Sequence, residues 1–242
     1  MLALDLPSGG RLRTTWTAPQ GEPRGWAWVQ HGFMRHAADL AGLAGLLAGA
    51  GFGVVRPDIA TLRPVRSLHD ARWLTEVALT VARAVEMGIP QARGIEAAGP
   101  WAVLGHSAGA AVAVHVAGCF EARPGVEPVA SLVLLDPVDT VGGILGSALP
   151  GVSPGIVHAC RPSRCNRQGA TVAVLASQGW PVVHHPGLAH PDPERIPPDA
   201  RPGCVPTPSP WLARVCGAPG SHAEVAALAR AVRGEVVNPR GM

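Results

Sequence analysis

The chain has 242 residues, of which 47% are apolar and 15% charged, and its formal net charge is +3. That is the composition of a globular protein, read as a single domain over residues 1–242. It excludes a disordered chain, and so small and scattered a basic excess gives no argument for a nucleic-acid partner, so none is expected. All 20 basic side chains are Arg and there is no Tyr, so a Schiff-base lysine, a P-loop lysine and a tyrosine nucleophile are excluded as well.

In chain order, Leu2–Leu6 and Arg11–Thr17, split by Ser8-Gly9-Gly10, predict an antiparallel hairpin. Trp26–Gln30 is a short apolar strand that ends at His31-Gly32-Phe33. A Leu- and Ala-rich helix over residues 37–50 stops at Gly51, and a strand Phe52–Arg56 follows. Leu68–Met87 carries apolar residues at helical spacing and ends at Gly88. Trp101–Leu104 is a strand running directly into Gly105, with a helix over Ala108–Phe120 behind it. Further strands are expected at Ser131–Leu135, Thr171–Ala176 and Trp211–Cys216, and a last helix at His222–Arg233. Strands that are nearly continuous apolar runs, alternating with helices, specify a mostly parallel sheet buried on both faces, with the hairpin at its start.

Two segments read as irregular, 137–170 and 178–210. The second holds ten prolines, which rules out helix and central strand and leaves a long ordered surface loop near the site. No window approaches the ~18–20 apolar residues of a membrane span. Met1–Leu6 lacks a basic start and a long apolar core, so the expected location is cytoplasmic. Of the five cysteines, Cys119 and Cys216 lie in apolar stretches and read as packed thiols. Cys160, Cys165 and Cys204 lie in loop-like sequence with room for one disulfide.

Gly105-His106-Ser107-Ala108-Gly109 follows a strand and precedes a helix. This is the context of a nucleophile elbow, where glycines let strand and helix approach and the helix N-terminus lies beneath the serine. Ser107 is therefore the expected nucleophile of a serine hydrolase with an α/β-hydrolase fold. The competing reading is a serine capping a helix in a tight turn; the apolar strand before the pentapeptide and the Ala/Val helix after it favour the elbow. The base is expected downstream. His222, after the expected last strand, is the choice, against its reading as a polar helix-start residue. His184, His185 and His190 fall in the proline-rich loop; with Asp192 they could suggest a metal site, but loops gather such residues without one, and no metal is expected. For the acid, Asp136 stands at the tip of a strand, with Asp139 and Asp192 as alternatives. The oxyanion donors are expected at the backbone of Ala108 and Phe33, with Met34 as an alternative to Phe33. His31 and His106 are expected to buttress the elbow.

At these residues the chain resembles the α/β-hydrolase superfamily. His31-Gly32-Phe33, the Ser107 pentapeptide and Asp136-Pro137-Val138 are similar to the chlorophyllase and polyester-hydrolase (cutinase-like) branches. The chlorophyllase pattern places the triad acid at Asp136. The polyester-hydrolase pattern places it after the next strand, which keeps Asp192 open. Gly109-Ala110 departs from the two glycines usual there. The resemblance implies hydrolysis of a carboxylic ester without a cofactor. The residues themselves point to a small-molecule ester cleaved through an acyl-enzyme on Ser107, with the entrance expected to be lined by Phe33, Met34, Val138 and parts of segments 137–170 and 178–210. A thioesterase, acyltransferase or peptidase would use the same residues, and a non-catalytic binding protein on this scaffold is the more distant alternative.

Overall fold

A computed structural model describes residues 1–33, 35–59, 70–139, 144–149, 151–201 and 216–239. Among them, eight strands form one sheet: β1 (Leu2–Asp5), β2 (Arg11–Thr17), β3 (Gly25–Gln30), β4 (Phe52–Pro57), β5 (Trp101–His106), β6 (Val129–Leu135), β7 (Ile156–Cys160) and β8 (Val182–His185). Their order is β1-β2-β4-β3-β5-β6-β7-β8. β1 and β2 pair antiparallel, as do β2 and β4, and every other pairing is parallel.

Strand alternation builds two cores. Trp26 and Trp28 of β3, Trp101 and Val103 of β5, and Leu132 and Leu134 of β6 face one way. They pack on α2 (Ala71–Glu86) and α3 (Gly109–Glu121). Ala27 and Val29, Ala102 and Leu104, and Val133 and Leu135 face the other way, onto α1 (Ala41–Gly49) and α6 (His222–Val237). Full burial of each large apolar side chain contributes about 1.5–3 kcal/mol. The shorter helices are α4 (Ile144–Ala148) and α5 (Ala170–Ser177). The α2 helix starts where Asp70 caps the N–H groups of Arg72 and Trp73, and it buries the expected stripe of Leu74, Val77, Ala78 and Val81.

Several expectations are corrected. Thr171–Ala176 is not a strand but lies within α5, where Thr171, Val172 and Leu175 are the buried residues, at helical spacing. A short apolar run does not by itself distinguish the two structures. The strands that complete the sheet are β7, inside the segment read as irregular up to residue 170, and β8, inside the proline-rich stretch. β8 is the edge strand, bracketed by Pro181 and Pro186; an edge position tolerates such flanks because no ladder continues beyond it. The expected strand Trp211–Cys216 lies outside the described residues except for Cys216, which is helical. Cys216 is not a packed thiol but is disulfide-bonded to Cys165, 51 positions away. Cys119 and Cys160 are free, and Cys204 lies outside the described residues.

Candidate active site

Ser107 occupies the turn between β5 and α3 with φ of +57°, left-handed for a residue with a Cβ. Three glycines make the turn possible. A Cβ on Gly105 would meet the Gly109 carbonyl oxygen and come within 2.7 Å of the Ala110 Cα. On Gly109 it would meet the His31 carbonyl oxygen and come within 2.6 Å of the Gln30 carbonyl oxygen. On Gly32 it would come within 2.7 Å of the Ser107 Cβ and 3.2 Å of its Oγ. The loop after β3 thus lies directly against the serine. Phe33, the next residue, is 45% exposed. Met34 lies outside the described residues. Ala108 is buried at the N-cap of α3.

Asp136 follows β6, the strand beside β5, so acid and serine stand on neighbouring strand tips. Its φ is +43°, and its side chain is fully buried. The N–H of Ser107 donates to the Leu135 carbonyl (3.0 Å), that of Asp136 to His158 (2.7 Å) and that of Val138 to Ser107 (3.1 Å). These bonds continue the ladder past the strand ends. Val138 is itself buried.

The histidine that meets both groups is His190. Its Nδ1 lies 2.6 Å from Asp136 Oδ2, and its Nε2 lies 2.9 Å from Ser107 Oγ. With Nδ1–H donating to the carboxylate, Nε2 is free to accept the serine proton. His222 does not join them. It is the exposed first residue of α6, behind a capping box in which the Glu224 side chain accepts from the Ser221 N–H and Ser221 Oγ accepts from the Glu224 N–H. Gly220-Ser221-His222 is a helix start, the reading set aside at the level of sequence. The expectation took the histidine after Trp211–Cys216, whereas among the described residues the histidine that meets Ser107 follows β8. Counted from β8, the next histidine is His190. The legible signal was Ala189-His190-Pro191-Asp192 behind the apolar pair Val182-Val183.

Asp192 is not beside His190 Nδ1. Its carboxylate accepts the N–H groups of Ala189 and Gly220, each at 2.7 Å, and pairs with Arg195 at 2.6 Å. It folds the turn that carries His190 and ties that turn to the approach to α6. Asp139 is engaged through its backbone, its N–H donating to Thr171 Oγ1 at 2.8 Å and its carbonyl accepting from Arg167.

The two buttressing histidines are buried. His31 Nδ1 donates to the Gly32 carbonyl (3.0 Å), and His106 Nε2 donates to the His190 carbonyl (2.9 Å). Burial lowers both imidazoles, His106 well below its ordinary range with the neighbouring His190 adding to the effect, so both are neutral near pH 7. Arg35 Nε donates to Glu194 at 2.8 Å, joining the loop after β3 to the turn after His190, while burial raises the Glu194 carboxyl despite that partner. Burial, with the charges of Asp136 and Asp192, holds the Cys160 thiol well above its usual range, so it remains protonated.

One contact had no sequence signal. Asn166, buried in the loop between β7 and α5, donates through Nδ2 to Asp136 Oδ2 (3.0 Å) and Oδ1 (3.3 Å). The Cys160 N–H donates to the same carboxylate at 3.0 Å. His185 pairs instead with His158, at 3.0 Å between ring nitrogens. Among the described residues no group of three or more His, Cys, Asp or Glu side chains converges as a metal site.

No protein-family model matches the chain, and no curated protein does. Solved structures do. The esterase domain of a Rhodothermus marinus protein is similar with a TM-score of 0.59 at 14% identity, covering 98% of this chain and 96% of that one. A dienelactone hydrolase from Anabaena variabilis ATCC 29413 is similar at 0.57 and 16%, covering 96% and 93%. An alpha-beta serine hydrolase homologue from Coxiella burnetii is similar at 0.52 and 16%, covering 76% and 86%. At such identities the likeness is one of architecture: the chain has the α/β-hydrolase fold.

Proposed function

We propose that the protein is a serine hydrolase that cleaves small-molecule carboxylic esters through an acyl-enzyme. The observation that carries this reading is the continuous contact from Asp136 Oδ2 through His190 to Ser107 Oγ, at 2.6 and 2.9 Å. In the first step His190 Nε2 takes the hydroxyl proton as Ser107 Oγ attacks the ester carbonyl. Asp136 holds the imidazole in the tautomer that accepts at Nε2 and stabilises the imidazolium that forms. The oxyanion faces the N-terminus of α3, where the Ala108 N–H and the positive helix end favour negative charge, with the Phe33 N–H as second donor. His190 then returns the proton to the leaving alcohol, and water repeats the sequence on the acyl-enzyme. Fold neighbours named as esterases support the ester as substrate class. Phe33, exposed beside the nucleophile, is the substrate contact this arrangement favours, and Val138 holds the backbone of Ser107.

The test is hydrolysis of short p-nitrophenyl esters together with labelling by a fluorophosphonate probe. Wild-type protein turns over and is labelled at Ser107. Ser107→Ala and His190→Ala lose at least about 10³-fold in kcat while remaining folded, and His222→Ala matches wild type. Full activity in Ser107→Ala would overturn the reading.

A further inference from the structure

We infer that Asn166 is a positioning residue for the triad acid, making the working unit four side chains long: Ser107, His190, Asp136 and Asn166. The inference rests on the serine-hydrolase reading above. Asn166 is fully buried, and every hydrogen-bonding position of its amide is used. Its Oδ1 accepts from the Ser163 N–H at 2.8 Å and from Ser163 Oγ at 3.4 Å. One Nδ2 proton goes to the Arg161 carbonyl at 2.9 Å. The backbone partners, the Ser163 N–H and the Arg161 carbonyl, lie in the loop itself and fix which end of the amide is nitrogen. The remaining N–H is therefore aimed at the Asp136 carboxylate before any substrate arrives.

That carboxylate has no exposure to water. It must stay ionised and in register with the imidazole while His190 gains and loses a proton. Oδ2 is shared by His190 and Asn166, and Oδ1 by the Cys160 N–H and Asn166. Without Asn166, Oδ2 keeps His190 alone, and the carboxylate is freer to turn about its Cβ–Cγ bond. The loop that carries Asn166 is anchored to the same strand tip. Arg167 donates to the Asp139 carbonyl at 2.7 Å, and Thr171 Oγ1 takes the Asp139 N–H. A water molecule could satisfy the carboxylate chemically, but it would not hold its plane. An aspartate at 166 would put a second negative charge in the same buried space.

The experiment compares wild type, Asn166→Ala and Asn166→Asp in kcat and KM for a p-nitrophenyl ester from pH 5 to pH 8. Competent sites are counted by fluorophosphonate titration, and folding is followed by Tm. Asn166→Ala lowers kcat per competent site by about 10- to 100-fold, as loss of a supporting partner does elsewhere, with KM within about twofold. In Asn166→Asp the paired carboxyls share a proton, and the protonated member donates in place of the amide. Its activity relative to wild type therefore rises as pH falls. A kcat per competent site within twofold of wild type in Asn166→Ala overturns the inference and leaves the hydrolase reading standing. So does a loss in both variants that tracks only the fraction folded, with no pH dependence in the ratio. A wild-type protein that neither hydrolyses esters nor labels at Ser107 overturns the hydrolase reading itself, and the inference with it.

Discussion

Asp192 and Gly220 are joined by a hydrogen bond of 2.7 Å from the Gly220 N–H to Asp192 Oδ2, which fastens the His190 turn to the start of α6. The two aspartates weighed as acid thus have separable duties. Asp136 touches His190, whereas Asp192 holds the backbone on which His190 sits. Asp136→Asn should lower kcat by about 10⁴-fold, the loss expected when the imidazole is held in the wrong tautomer. Asp192→Ala should act first on stability. It strands two buried N–H groups, those of Ala189 and Gly220, and removes one of Arg195's partners, a cost of about 2–6 kcal/mol from the two unpaired donors, read as a fall in Tm. Parallel kcat and thermal-melting measurements on the two variants check the division.

Acid should destabilise the fold before it reaches most carboxylates. Burial lowers His31, His106, His115, His158 and His185 below the ordinary imidazole range, His158 to about 4 with His185 contributing. The unfolded chain takes up protons near pH 6.5, where the folded chain resists them, so the unfolded state binds more protons and stability falls as pH drops from about 6.5 toward 4. The gap at His158 corresponds to about 3 kcal/mol. Glu121 and Glu194, raised by burial, act in the opposite sense as pH climbs past the usual carboxylate range. Five imidazoles against two carboxyls set the direction. Tm should decline between pH 7 and pH 4, and His158→Leu should flatten that slope. An equally steep decline in the variant would show that His158 is not its source.

Reduction of the Cys165–Cys216 bond should act on both stability and rate. The bond closes a loop of 51 residues, for which chain entropy gives about 4 kcal/mol. That is a fall of roughly 8–16 °C in Tm for a domain of this size. Cys165 is also the residue before Asn166, so the bond holds the loop that supports Asp136. Reduced and alkylated protein, assayed below its melting temperature, should lose kcat with KM little changed. Unchanged kcat after confirmed reduction would separate the bond from the site.

Much of the frame was legible in the chain. The place of Ser107 between strand and helix follows from a sharp turn that needs glycine on both sides, and Asp136 ends the Leu- and Val-rich run that forms the buried strand β6. The sheet faces follow from simple alternation, as in Trp26-Ala27-Trp28-Val29. The histidine was hidden for a physical reason. β8 is four residues long, lies at the sheet edge and is framed by prolines, so it lacks the long apolar run by which a buried strand is recognised. Thr171–Ala176 offered that run but spent it on a helix. Asn166 was beyond reach, since its only distinction is three-dimensional: the loop that makes its amide useful is held by the backbone of Ser163 and Arg161.

The glycines around Ser107 have a consequence for how such a protein diversifies. Gly32, Gly105 and Gly109 have no room for even a methyl group, so the surroundings of Ser107 are closed to variation by substitution. On the hydrolase reading proposed above, new substrate preferences arise at the rim, at exposed Phe33. Evolution or a directed library can alter what the site admits while the elbow, and the reaction proposed for it, stays as it is.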